Sequence, residues 1–450
     1  MAKLNPVLFT HRAFNMRSFN RFIKESFQMK KIISVLLCIT LIILSFSACG
    51  GNPSQKPSKV KSTNLMNDIT PKAVEKSNNL SDGNSAYNDF AIALFKENQI
   101  NGDNVLISPL SVLCALSMTV NGAKEETLKE MEKVFGLSAS DMNKYLYSYI
   151  NGLEQGEKFS LKLANSLWIT NDETFKVNND FLQINADYHN PEIYSVAFEN
   201  PDTVKDMNNW VKENTDGMIP SIIDNPLPQD TLMCLMNALA FEAEWANIYE
   251  ETQVQKANFN ARNGKSQNVD FMYNEEYKYL RDDESTGFLK YYAGEKYAFA
   301  AVLPNEDIKL EDYIKNLSGE KIANLLNAVK DEKVITSIPK FEYDYSADIT
   351  KILMNMGIKT AFNSSNADLT GIGTWEYGNL FISKVLHKTY ISVAEKGTKA
   401  GAVTAEILCG SSAIPEKPHE VYLDRPFMYM IIDCENNVPF FIGTVTSVEG

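Results

Sequence analysis

The most constraining feature of this 450-residue chain is a strand too long for a small sheet. Leu380 to Val393 runs for 14 residues without Gly or Pro, roughly 45 Å if fully extended. Most strands are about five or six residues long, so a large central sheet is implied. The strand delivers the chain into an unusual stretch. Glu395-Lys396-Gly397-Thr398-Lys399-Ala400-Gly401-Ala402-Val403-Thr404-Ala405 carries almost no large side chain. As a strand it would place Thr398, Ala400, Ala402 and Thr404 on one face, because side chains alternate. All four are small enough to slide over a packed core. Lys399, Gly401 and Val403 take the other face, and Glu406 comes next on the inner one, where the strand is expected to meet solvent. Pro, Asn and Asp, which hold a loop as a loop, do not occur between Glu395 and Ala413. The segment can therefore form a full backbone ladder, and it reads as a strand held in reserve.

Other elements are read from local pattern. Tyr87, Phe90, Ala91, Leu94 and Phe95 keep helical spacing near the start of the folded domain. Ser108 followed by Pro109 is a helix start, and the helix after it is apolar nearly all round, hence buried. Leu161, Leu163, Leu167 and Ile169 alternate as in a strand. Thr231 to Phe241 is apolar on both faces, as a central strand should be. Phe427–Asp433 and Val438–Val445, joined by Glu435-Asn436-Asn437, read as a hairpin.

The N-terminal region is organised differently. Met29-Lys30-Lys31, the apolar run Ile32–Phe46 and Ser47-Ala48-Cys49-Gly50 resemble a bacterial lipoprotein export signal, with Cys49 as the lipidated residue. Residues 1–28 read as an upstream segment outside that signal, with Met29 as the start. Residues 29–48 are then the signal, 49–83 a Ser/Asn/Lys/Pro-rich flexible tether, and 84–450 the folded domain. The expected location is the outer face of the cell membrane as a lipoprotein, or secretion. Residues 1–48 hold seven Lys/Arg and one Glu; without them the chain has 36 basic and 56 acidic residues, a net of −20. So acidic a body excludes nucleic acid as a natural partner.

Catalytic and metal signatures are missing from the sequence. The four histidines, 11, 189, 387 and 419, show no zinc spacing, and no nucleophile elbow or phosphate loop occurs. No cofactor or metal is expected. His387 lies mid-strand and reads as a buried, hydrogen-bonded histidine. Cys114, Cys234 and Cys434 sit in apolar runs as small buried residues.

Glu395-x-Gly397-Thr398-x-Ala400 followed by small residues, then Asp424-Arg425-Pro426-Phe427, resembles the hinge and distal strand of the serpins, the serine protease inhibitors that trap their target by loop insertion. Asn104 to Ser111 resembles the helix start behind the serpin central sheet. Asn237, Ala238, Phe241 and Trp245 fit as well, although Glu242-Ala243-Glu244 stands where Lys-Gly is common. Pro339-Lys340-Phe341 and Ala367 to Gly371 extend the likeness, which runs from about residue 86 to 448. The resemblance implies an α+β fold of many helices and three sheets, with a large central mixed sheet and an exposed reactive centre loop. It implies that Ser108, Ser111, Asn237 and His387 mark where the sheet opens, with His387 bonded to one of the other three. It implies a monomer that is not an enzyme but an irreversible inhibitor of serine endopeptidases, and that cysteine proteases are a second class of target. Family spacing from Gly397 gives Ser411–Ser412 as the reactive bond, with Cys409, Gly410 and Ala413 as the other candidates. With no Arg or Lys from Ala400 to Glu416, an elastase- or subtilisin-like target fits better than a trypsin-like one, and Leu408 would suit a chymotrypsin-like one. The competing reading is a non-inhibitory serpin-fold protein that binds or assists folding at the cell surface.

Overall fold

The structure is a computed structural model that describes residues 61–77, 80–99, 102–153, 156–398 and 417–448. The expected signal and Cys49 lie outside the described residues, as do Ala400, Ala402, Thr404, Ser411 and Ser412.

In chain order come β1 (Thr63–Asn64), α1 (Ser81–Asn98), β2 (Val105–Ile107), α2 (Pro109–Val120), α3 (Glu125–Phe135), α4 (Ala139–Gly152), β3 (Phe159–Thr170) and β4 (Lys176–Val177). Then come α5 (Asn179–Tyr188), β5 (Glu192–Val196), α6 (Pro201–Asn214), β6 (Met233–Glu244), β7 (Val254–Asn260), β8 (Ser266–Glu276), β9 (Tyr279–Arg281), β10 (Ser285–Tyr291) and β11 (Tyr297–Pro304). The last part holds α7 (Leu310–Lys315), α8 (Gly319–Asn327), β12 (Val334–Pro339), β13 (Phe341–Asp348), α9 (Thr350–Met356) and β14 (Gly373–Thr374). It ends with β15 (Lys384–Ala394), β16 (Gly397–Thr398), β17 (His419–Tyr422), β18 (Phe427–Asp433) and β19 (Val438–Val445).

Three large sheets result, in an α+β fold. The central one has seven strands in the order β1-β5-β3-β6-β16-β15-β13 and mixes parallel with antiparallel pairs. A six-stranded sheet, β2-β19-β18-β11-β10-β9, holds the C-terminal hairpin, and a four-stranded sheet, β17-β12-β8-β7, receives the chain after residues 399–416. A further small pair joins β14 to β4.

The central sheet is covered on both faces, which explains its apolar strands. Behind it lies α2, buried along its whole length. Ser108 caps α2 by accepting a hydrogen bond from the Ser111 amide at 3.2 Å, and Pro109 opens its first turn. In front, α6 lays Met207, Trp210 and Val211 over Trp168, Tyr194, Cys234, Met236 and Leu386. Along β6 the side chains divide by alternation: Leu235 and Leu239 join the core behind, Cys234, Met236 and Ala238 the core in front.

Two expectations need correction. The long strand begins at Lys384, not Leu380, because the Ile382 amide turns away to the Ala361 carbonyl and so leaves the sheet. The tether is in part docked. Residues 61–77 lie against the body, with β1 adding an antiparallel edge strand to β5, and α1 starts at Ser81. Polar donors hold that strap: the buried Asp206 carboxylate accepts from the Lys61 amide at 3.0 Å and the Ser62 hydroxyl at 2.6 Å. The opposite edge, β13, exposes Glu342, Asp344, Ser346 and Asp348, charges that discourage edge-to-edge pairing.

Asp206→Ala should release the strap, since both donors lose their acceptor at the edge of the sheet. The expected loss is about 1–3 kcal/mol, read from urea denaturation, with faster proteolysis confined to residues 61–77.

Candidate functional site at the seam of the central sheet

The seam between β6 and β15 is paired along only half its length. Lys384–Thr389 run parallel to Cys234–Leu239. Higher up, β16 sits between the two strands, antiparallel to both: Thr398 opposes Ala243 and Val393, and Gly397 opposes Glu244 and Ala394. Among the described residues, Ala240–Glu242 and Tyr390–Ser392 are not paired across the seam.

The upper end is built on aromatic residues. Gly397 has φ +151°, and a Cβ there would press into the Ala243 carbonyl, so glycine is required. Thr398 is 2% exposed, and its hydroxyl meets the Tyr292 hydroxyl at 2.6 Å. The Tyr292 ring stacks on Trp245 with centroids 4.5 Å apart and packs edge-on against Phe241 at 5.0 Å. Trp245 also grips the backbone of the hinge. Its amide donates to the Lys396 carbonyl and its indole Nε1 to the Ala394 carbonyl, each at 2.9 Å. The Tyr249 amide donates to the Glu395 carbonyl at 2.9 Å. The Glu395 carboxylate pairs with Lys340 at 2.7 Å. Burial pushes the Glu395 carboxyl up, but the Lys340 ammonium and the residue's own backbone donor outweigh it and hold it below the usual range. With both partners about one-third exposed, this pair is worth no more than about 1 kcal/mol.

The lower end is a buried polar knot. The Ser108 amide donates to His387 Nε2 at 3.1 Å, so the neutral ring carries its proton on Nδ1 and donates it to Asn237 Oδ1. His387 is thus held by the Ser108 backbone and by Asn237. The Ser111 hydroxyl is not part of the knot; it and Asn237 Nδ2 are buried without a hydrogen-bond partner. Thr389 donates to the Leu106 carbonyl at 2.7 Å, tying β15 to the strand before α2.

Of the residues that sequence singled out, Glu395, Gly397 and Thr398 meet at the top of the seam, and Ser108, Asn237 and His387 at its base. Tyr292, Tyr249 and Lys340 were not foreseen. Their partners are far away in the chain, and nothing periodic marks them; only the aromatic pair Tyr291-Tyr292 before a turn at Gly294 gives a signal. Among the described residues no cluster of three or more His, Cys, Asp or Glu could hold a metal.

A family model described as serpin (serine protease inhibitor) matches residues 85–448. The chain belongs to the serpin family. An uncharacterized serpin-like protein of Thermococcus kodakarensis is 32% identical over 425 residues, covering 91% of this chain and 97% of that protein. The leukocyte elastase inhibitor of Homo sapiens is 28% identical over 380 residues, covering 81% and 98%. A crystal structure of the thermophilic serpin tengpin in the native state is 43% identical, with a TM-score of 0.82 over 86% of this chain and 100% of that one. The same protein in the latent state gives a TM-score of 0.72 over 84% and 100%. Serpins are a family of protease inhibitors and are not themselves catalytic. The seam of this serpin consists of two strands, β6 and β15, and the chain segment between them.

The polar knot makes stability depend on acid. Burial lowers the His387 pKa from 6.5 to about 3, and that of His189 to about 4. As pH falls, the unfolded chain takes up these protons first. Stability is therefore complete above about pH 6.5 and falls by about 1.4 kcal/mol per pH unit for each histidine below it, until the folded pKa is reached. His387→Gln should remove one such slope from a plot of urea-unfolding free energy against pH between 6.5 and 4.

Proposed function

We propose that this serpin is a suicide inhibitor of serine endopeptidases that traps the acyl-enzyme by inserting its cleaved loop between β6 and β15. The observation that carries this reading is the seated hinge. Gly397 and Thr398 already occupy the first two positions of an added strand, with hydrogen bonds to both neighbours. The protease serine would attack the loop as a substrate and form an ester at the scissile carbonyl. Cleavage frees the loop, and insertion replaces one parallel pair with two antiparallel ladders. About a dozen new backbone bonds at roughly 1 kcal/mol each give on the order of 10 kcal/mol. That is comparable to the whole stability of a protease domain, about 5–15 kcal/mol.

The register supports this use of the seam. If the strand continued inward in the register of Thr398, residue 400 would oppose Phe241 and Ile391, residue 402 Leu239 and Thr389, and residue 404 Asn237 and His387. Directly opposed residues share a face. On insertion Thr404 would therefore bring a hydroxyl to the polar knot, where Asn237 Nδ2 lacks an acceptor. The reactive bond in this reading is Ser411–Ser412, and the target is elastase- or subtilisin-like. Lipidation at Cys49 would hold the inhibitor at the outer face of a bacterial membrane, as a monomer.

One residue favours the second reading, a non-inhibitory serpin-fold protein at the cell surface. In the same register an inserted Glu406 would oppose Leu235 and Val385, both fully buried, and would not meet solvent. Burying a polar group without a partner costs at least about 2 kcal/mol, so insertion beyond Thr404 is opposed.

Incubation of residues 50–450 with subtilisin, an elastase and trypsin separates the two. A complex that survives a denaturing gel with either of the first two, cut near Ser411, is the expected result. Clean cleavage with no complex and no rise in melting temperature would leave only the second reading. Glu406→Leu should raise the melting temperature of the cleaved form by about 2–3 °C, the equivalent of about 2 kcal/mol in a domain of this size, and lower the number of inhibitor molecules consumed per protease. An unchanged melting temperature would show that Glu406 never enters the slot.

A further inference from the structure

A buried cation lies beneath the hinge. Lys290, on β10, is 1% exposed, and its ammonium meets Glu276 Oε1 at 2.8 Å and the Asn247 carbonyl at 3.1 Å. It stands 4.3 Å from the centre of the Tyr249 ring and 5.4 Å from that of Trp245, within the range of cation–π attraction. Glu276, at the end of β8, is 8% exposed. The Tyr249 hydroxyl is buried and makes no hydrogen bond, so the ring is held by its face and by packing.

The turn that this cation grips is the turn that grips the hinge. Trp245, Asn247 and Tyr249 are its contacts from residues 245–249. The same turn supplies the Trp245 amide and indole and the Tyr249 amide, which bind the carbonyls of Lys396, Ala394 and Glu395. Lys290 and Glu276 come from two different sheets, neither of which contains the seam, so the ion pair ties the turn to strands outside the central sheet.

We propose that Lys290, paired with Glu276, is a positioning residue for the hinge: it fixes the 245–249 turn and so sets how firmly residues 394–398 are held before insertion. A buried ion pair is a poor way to gain stability, because desolvation of both charges offsets most of their attraction. Its distinctive product here is geometric, one cation contacting three residues of a short turn. The proposal bears on inhibition only through the loop-insertion reading above.

The test compares the intact protein with Lys290→Met and with the double variant Lys290→Met/Glu276→Leu, which removes both charges and leaves no uncompensated one if the single variant folds poorly. Hydrogen exchange followed by mass spectrometry reads peptides covering residues 245–249 and 393–398. The amides of Trp245 and Tyr249 donate to the hinge, so their exchange reports its attachment without any protease. The expected result is exchange at least 10-fold faster in these two peptides in the double variant, with residues 161–169 of β3 unchanged. Unchanged exchange at the hinge, or acceleration spread equally through β3 and β6, would overturn the positioning role. Protease titration of the same proteins is a separate readout. Absence of a complex with the wild type would sink the inhibitor reading, while the exchange data would still decide the role of Lys290.

Discussion

Two long strands that could pair from end to end pair along only half of their length, and the rest of the molecule is arranged around that incomplete seam. β6 and β15 are joined from Cys234 to Leu239, and above that point they part around Gly397 and Thr398. Unpaired backbone between covered faces is costly. The split persists because α2 behind and α6 in front hold the sheet, and because each end of the seam has its own lock.

The locks differ in chemistry. The base uses neutral polar groups in a dry setting: His387 bridges the Ser108 amide and Asn237. Such a network is strong when satisfied, yet Ser111 Oγ and Asn237 Nδ2 are left over. The knot is therefore incomplete. The top uses aromatic surface. Trp245 and Tyr292 form a platform under Thr398, and backbone carbonyls of Ala394 to Lys396 are caught from the side. Aromatic rings supply large contact area with few rotatable bonds, which suits a rigid support under the hinge segment.

Much of this was legible in order along the chain. Alternation and small side chains marked Thr398 as an inward-facing residue, and it is buried between β6 and β15. The hairpin at the C-terminus has the bounds its pattern gave. The docking of residues 61–77 was not legible, because a Ser/Asn/Lys-rich segment owes its order to an acceptor, Asp206, about 145 residues away. Nor was the start of β15, since Leu380 to Ser383 are as strand-like as Lys384 to Ala394 and only the Ala361 carbonyl draws Ile382 out of the sheet.

Sequence alone determined the character of each segment: which strand was central, which helix was buried, and which stretch was small enough to be added to a sheet. Those properties are local, set by side-chain size and period. The tertiary structure alone decided the register. It put Thr398 opposite Ala243 and Val393, and Gly397 opposite Glu244 and Ala394. It also gathered Lys290, Glu276 and Trp245 under the hinge. Register and convergence depend on pairing between distant segments, and no pattern within one segment encodes its partner.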